Sequence, residues 1–314
     1  MAKARRSLVG KVVAITGGAR GIGRSTAAAL IAQGARVAIG DIDAQLAAQT
    51  AQELGAGTVG LPLDVTDRAS FETFLQGVED SLGPLDVLIN NAGIMPIGPF
   101  IDEDDATART MIDINLHGVI FGSKLALTRF IPRGSGHLVN IASAAGKAGF
   151  PSGATYSATK HAVVGLSEAL RAEVRDTDIG VTVVMPVVVH TQLGSGLPET
   201  RGFKAVEAED VAAAIVEGIQ LDRFEVYVPS STRALFRLKA LVPTRVMEAI
   251  ARFLKGDQVL ASPDHGQRAD YEARIAATIK DHDEAVTERE QEAGPAAERE
   301  AVQDTASEPE KATA

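Results

Sequence analysis

From Gly10 to about Pro229, short runs rich in valine and isoleucine alternate with longer stretches whose apolar residues recur every third or fourth position. Unbroken apolar runs suit strands buried on both faces, and the helical spacing suits helices packed over them, so the alternation predicts parallel strands joined by crossover helices. Strands are expected at 12–16, 36–40, 58–63, 87–90, 137–141, 181–185 and 225–228. Helices are expected at 24–33, 44–54, 68–82, 105–130, 156–176 and 208–220. The expected fold class is therefore α/β, a Rossmann-like doubly wound, mainly parallel seven-stranded sheet with helices on both faces.

Past Pro229 the alternation stops. Residues 233–255 read RALFRLKALVPTRVMEAIARFLK, with basic and apolar positions interleaved, and Pro243 is expected to break them into two short helices. A polar helix-like stretch follows around 269–280. From Asp281 the chain is rich in Glu, Ala and Gln and nearly devoid of large apolar residues, which leaves too little surface to bury against its conformational entropy, so disorder with transient helix is expected there. The pattern divides the chain into a sheet domain over 8–229, a helical appendage over 230–280 and an acidic tail over 281–314.

Charge sharpens that division. The net charge of the 314 residues is −10, but the tail holds 11 acidic side chains against Arg289, Arg299 and Lys311, so the rest is close to neutral. No concentrated positive surface suits phosphate neutralisation, and no nucleic-acid partner is expected. The absence of cysteine excludes disulfides, thiolate metal sites and a cysteine nucleophile, and fits a reducing cytoplasm. No apolar run approaches the ~18–20 residues that span a bilayer. The basic N-terminus is read as a lead-in to the first strand rather than a signal peptide, because Lys11 interrupts its apolar stretch.

The strand at 12–16 runs directly into Thr16-Gly17-Gly18-Ala19-Arg20-Gly21-Ile22-Gly23, which opens a helix. Glycines in that strand–turn–helix setting let the backbone approach a pyrophosphate held at the positive end of the helix dipole. Asp41 lies 20 residues after Gly21, at the end of the second strand. A carboxylate there can accept hydrogen bonds from an adenosine ribose and repel a 2′-phosphate, which favours NAD over NADP. Arg20 pulls the other way as a partner for that phosphate, so NADP stays open. Asp41 could instead cap the following helix, although Asp43 suits that role better.

Tyr156 and Lys160 stand four residues apart, on one face of the helix at 156–176. A phenol is a poor base at neutral pH, and a neighbouring cation lowers its pKa. Taken with Thr16-Gly17, Gly21 and Gly23, Asp64-Val65, Asn90-Asn91-Ala92-Gly93, Asn115 and Ser143, the pair resembles the short-chain dehydrogenase/reductase family in its compact form, with motifs matching in order and spacing over about 8–229. The resemblance implies that Tyr156 is the general acid/base, that Lys160 lowers its pKa and holds the nicotinamide ribose, and that Ser143 binds the substrate oxygen. It implies that Asn115 completes a proton relay, that Asp64 and Val65 contact the adenine, and that Asn91, Ala92 and Gly93 line the cofactor cleft with Ile22, Val189 and Thr191. Thr191 is assigned to the nicotinamide amide. One departure bears on that assignment, since Val187 follows Pro186 where the family usually has glycine. The plain alternatives are a strand-end turn at Ser143, a satisfied buried amide at Asn115 and a helix cap at Asp64.

These readings make the chain an NAD(P)-dependent oxidoreductase that interconverts a secondary alcohol and a ketone. The rival from another class is a cofactor-binding, catalytically silent redox sensor or assembly protein. No metal is expected, because no histidine pair has ligand spacing on a helix face. Resemblance further implies a homodimer or homotetramer, through the helices at 105–130 and 156–176, and a mobile substrate loop over 192–203. Residues 233–255 carry Arg233, Arg237, Lys239, Arg245, Arg252 and Lys255 against Glu248 alone. Three readings of this segment stay open: a lid over the cleft, a peripheral contact with anionic lipid, or a buttress on the sheet. A lid with this apolar side would favour bulky apolar substrates such as steroids, retinoids or other lipid alcohols.

Overall fold

A computed structural model describes residues 5–199, 204–239 and 242–306. Seven strands form one parallel sheet: β1 (Val12–Thr16), β2 (Arg36–Asp41), β3 (Val59–Pro62), β4 (Val87–Asn90), β5 (Ser135–Ile141), β6 (Asp178–Pro186) and β9 (Glu225–Val228), in the order β3-β2-β1-β4-β5-β6-β9. A separate two-stranded ribbon pairs β7 (Val189–His190) with β8 (Val206–Glu207). Each apolar run expected to be a strand is one. β1, β4 and the inner part of β6 are buried on both faces, which is why they read as continuous Val/Ile stretches rather than alternating ones.

Helices α1 (Gly21–Ala32), α2 (Ala44–Leu54) and α7 (Ala208–Gln220) cover one face, where Val13, Ile15, Leu30, Ile39 and Ile215 form a core. Helices α3 (Arg68–Leu82), α5 (Gly118–Phe130) and α6 (Ala154–Glu173) cover the other, around Phe71, Phe74, Leu88 and Phe130. Strand order reverses between β1 and β4, which opens a crevice at their carboxyl ends, the place where such sheets bind ligands.

The stretch expected as one helix over 105–130 is interrupted. α4 (Asp105–Ile112) gives way to a single π-helical turn, Asp113–His117, before α5 resumes. The turn accommodates Asn115, whose side chain exchanges two hydrogen bonds with the backbone of Ile94 (2.8 and 2.9 Å). Such insertions recur at functional sites.

Beyond the sheet, Pro243 divides the basic segment as expected into α8 (Thr232–Lys239) and α9 (Thr244–Phe253). α10 then runs from His265 to Ala306 without a break at Asp281, where disorder is expected from composition. Two physical reasons account for the difference: Ala, Glu, Gln and Arg are strong helix formers, and the first turns of α10 are docked on the core, which supplies the nucleus that an isolated helix lacks. Residues 307–314 of the expected tail lie outside the described residues.

Candidate active site

α1 starts at the crevice with its first turn bare. α2, α3, α4 and α7 each take a carboxylate cap, from Asp43, Asp67, Asp104 and Glu207, whereas Arg20 at the head of α1 makes no side-chain cap and no acid stands in the first turn. Unsatisfied N–H groups at the positive end of a helix make an anion site. The turn ahead of it is tight. Gly17 and Gly21 take positive φ (61° and 53°), and a side chain at Gly23 would begin 2.3 Å from the Gly17 carbonyl. Thr16 is buried, and its hydroxyl accepts from the backbone of Asn91 and Ala92 (2.9 and 3.0 Å). The Asn91 amide donates to the Thr16 and Gly17 carbonyls. These two residues brace the turn, while Gly17, Arg20, Gly21 and Ile22 face the crevice.

Asp41 ends β2 beside the turn, accepting from the Ala19 and Asp43 N–H groups (3.2 and 3.3 Å). Asp43 is the cap of α2 and also holds Arg20 at 3.3 Å. Asp64 and Val65, after β3, and Ala92 and Gly93, after β4, line the next stretch of the cleft. Asp64 accepts from Thr66, and the cap of α3 is Asp67. The residues present thus fit a dinucleotide: a bare helix end for its phosphates, a carboxylate at the ribose end, and an apolar shelf between.

Tyr156 and Lys160, on α6, lie deeper, only 7% and 5% exposed, with the ammonium 5.7 Å from the phenol ring centre. Ser143, following β5, is within hydrogen-bonding reach of Tyr156. Lys160 donates to the Ile141 carbonyl (3.0 Å), and a side chain at Gly93 would sit 3.6 Å from its nitrogen and 3.0 Å from Asn115 Oδ1. Tyr156, Lys160, Ser143, Asn115 and Gly93 therefore converge. Burial pushes the Tyr156 phenol up to about 12, although the Ser143 hydrogen bond pulls the other way. Burial also pushes Lys160 down to about 8. This differs from the lowering expected for the phenol: in the protein alone, loss of water around Tyr156 dominates, and the Lys160 ammonium donates to the Ile141 carbonyl.

Val187 adopts no positive φ, and its N–H bonds the Val228 carbonyl (2.9 Å), so hydrogen bonding to β9 extends one residue past the end of β6 where glycine is usual. Val189 and Thr191 consequently still reach the cleft, with the Thr191 methyl 3.3 Å from where a Gly21 side chain would begin.

Of the three readings of residues 233–255, a lid over the cleft matches where α8 and α9 lie, whereas the part of the far wall made by α10 was missed by sequence reasoning. The cleft and the space beyond it form one cavity of about 1480 Å³, bounded on the far side by Leu235, Phe236 and Met247 of α8 and α9 and by Tyr271, Arg274 and Ile275 of α10. Arg268 is fully buried, donating to the carbonyls of Met95, Leu193 and Ser195 (2.8, 2.8 and 3.0 Å), while the Tyr271 hydroxyl accepts from Met95 N–H (2.8 Å). Val259, Leu260, Tyr271 and Ile275 pack with Ile94, Met95 and Tyr156. A signal was present: Arg268, Tyr271, Ile275 and Thr278 recur at helical spacing in RADYEARIAAT, one inward face in a stretch polar overall. Among the described residues no three metal-ligating side chains come together, and no helix is long and apolar enough to cross a membrane.

Comparison with known proteins agrees with this geometry. The short chain dehydrogenase family model matches residues 11–202. The probable oxidoreductase EphD of Mycobacterium tuberculosis is 33% identical over 248 residues, which cover 78% of this chain and 39% of that protein. This chain thus spans about two-fifths of the length of that relative. The 17-beta-hydroxysteroid dehydrogenase 13 of Rattus norvegicus is 30% identical over 254 residues, covering 79% of this chain and 84% of that one. A crystal structure of a short-chain dehydrogenase/reductase from Burkholderia phymatum in complex with NAD superposes with a TM-score of 0.68 at 27% identity, covering 74% of this chain and 94% of that one. With its parallel sheet, its glycine turn and its buried Tyr156–Lys160 pair, the chain belongs to the short-chain dehydrogenase/reductase family of oxidoreductases.

Proposed function

We propose that this chain interconverts a secondary alcohol and a ketone with a nicotinamide cofactor, NAD in preference to NADP, and that its substrates are bulky and apolar. The supporting observation is the convergence of Tyr156, Lys160 and Ser143 in one cavity that is continuous with the bare end of α1. The bound nicotinamide would supply the hydride chemistry. In ketone reduction Tyr156, neutral because burial keeps its proton on, donates that proton to the oxygen as it becomes an alkoxide, and Ser143 holds the same oxygen. In alcohol oxidation the phenol must ionise, and the Lys160 ammonium is the cation placed to stabilise it. The Asn115 side chain is committed to Ile94, so any part it plays in a proton relay falls to its backbone carbonyl in the π-helical turn.

Asp41 favours NAD, and the Arg20–Asp43 ion pair diminishes the counter-argument for a 2′-phosphate. Apolar walls from Ile94, Met95, Leu193, Val259 and Leu260 favour a steroid- or lipid-like alcohol, and the name of the rat relative points the same way. Under this reading 8–229 form the cofactor and catalytic domain, and 230–280 close its substrate side. We also propose self-association through α5 and α6, whose outer face carries exposed Ala158, Gly165 and Ala169, and peripheral contact of α8 and α9 with anionic lipid through exposed Leu238, Val246 and Phe253 and the basic residues between them. Light scattering and liposome co-sedimentation test these two. The main reading is tested by nicotinamide absorbance on a size-graded panel of secondary alcohols and ketones, with NAD and NADP in parallel. Turnover that rises with apolar bulk supports it. Cofactor binding with no turnover across the panel would favour the silent sensor.

A further inference from the structure

Tyr271 and Arg274 are neighbours on α10 but serve different parts of the cleft. Tyr271 closes the substrate side, while the Arg274 guanidinium donates to Gln192 Oε1 (2.8 Å) and lies over the Tyr271 ring (5.4 Å from its centre). Gln192 directly follows Thr191, whose methyl stands against Gly21, so this bond ties Arg274 to the loop beside the glycine turn, and Arg274, Arg20 and Gly21 line the same cavity. Among the described residues no carboxylate pairs with it. Arg20, the other cation at this place, is held by Asp43, and Asp41 already accepts two backbone N–H groups. Burial and the charge of Arg20 lower the proton affinity of Arg274, and the more weakly acting Tyr271 and Asp41 offset this only in part. A bare helix N-terminus and a guanidinium without an ion-pair partner, both lining one cavity, attract an anion with several acceptor oxygens.

We infer that Arg274 is a phosphate-binding residue of the dinucleotide site, contributed by the C-terminal helix. The inference rests on the reading that the crevice binds a dinucleotide, and it adds a consequence. One helix then carries a substrate-wall residue and a cofactor ligand a single turn apart, so cofactor binding holds α10 down over the substrate cavity. By reciprocity, a docked α10 tightens cofactor binding by the same factor.

The test measures dissociation constants of NADH, NADPH and ADP-ribose by fluorescence or calorimetry, on the full chain and on Arg274→Gln and Arg274→Lys, alongside amide exchange of 265–280 with and without NADH. Arg274→Gln is expected to weaken binding roughly tenfold, the usual worth of a charge-assisted hydrogen bond, with partial recovery in Arg274→Lys. Equal losses on all three ligands place the guanidinium on the pyrophosphate, and a loss confined to NADPH places it on the 2′-phosphate. NADH is expected to slow exchange in 265–280 of the unaltered chain, a readout that survives if a variant fails to fold. Unchanged affinities in both variants, or exchange indifferent to NADH, would overturn the inference while leaving the cofactor reading intact. Failure of the unaltered chain to bind any of the three would remove that reading itself.

Discussion

The cofactor wall of the cleft is made by residues 16–23, 41, 64–65 and 91–93, all at the carboxyl ends of neighbouring parallel strands, whereas the substrate wall joins Ile94 and Met95 to residues 188–197 and 259–275. The first wall is backbone geometry, in which a positive φ at Gly17, a bare helix end and a carboxylate after β2 do the work. The second is packing between three segments each more than 60 residues from the next, pinned by the buried Arg268, which bonds residues 73, 75 and 173 positions away. Chemistry can therefore stay fixed by the sheet while the far wall sets what enters, and perturbations of the two should separate in kinetics.

Ser143→Ala, on the sheet side, should lower turnover by roughly a hundredfold, as loss of one donor to the developing oxyanion does. The Michaelis constant should change little, and a loss confined to it would move Ser143 to the substrate wall. Lys160→Met probes the same side through stability. The folded-state pKa of Lys160 is lowered from 10.5 to about 8, so its burial penalty is fully present below pH 8 and fades as pH rises toward 10.5. The variant should be more stable than the parent at pH 7 by up to about 3 kcal/mol. That gain should vanish near pH 10.5, as read by denaturant unfolding of the cofactor-free protein, and a pH-independent difference would contradict the burial account.

The sheet side was legible because its signals are local in sequence: strand, glycine turn and helix follow one another over 12–32, and Tyr156 and Lys160 share one helical turn. The π-helical turn at Asn115 and the reach of α10 were not. The first depends on a hydrogen-bond exchange with Ile94, and the second on a docking surface that exists only once the sheet has formed. The raised pKa of Tyr156 was hidden for the same reason, since burial is a property of the fold rather than of the motif.

On the substrate side, Arg268→Met removes the donor to one buried and two half-buried carbonyls, a loss of about 1–3 kcal/mol. It should raise the Michaelis constant for large apolar alcohols roughly tenfold through the loosened wall, with turnover number and small substrates nearly unaffected. An equal effect on small and large substrates would mean that the two walls are not separable. Asp41→Ser should shift preference toward NADP by roughly tenfold, a modest effect because the Asp41 carboxylate is already held by the Ala19 and Asp43 N–H groups. A parent that already prefers NADP would show that Arg20 or Arg274 outweighs Asp41.

Tyr156→Phe keeps the ring, the packing and the cofactor wall and removes only the proton. With the best ketone of the panel, it should lose at least about a thousandfold in turnover while binding NADH with the parent's affinity. Near-parental turnover in that variant would contradict the assignment of Tyr156 as the acid/base and the mechanism built on it.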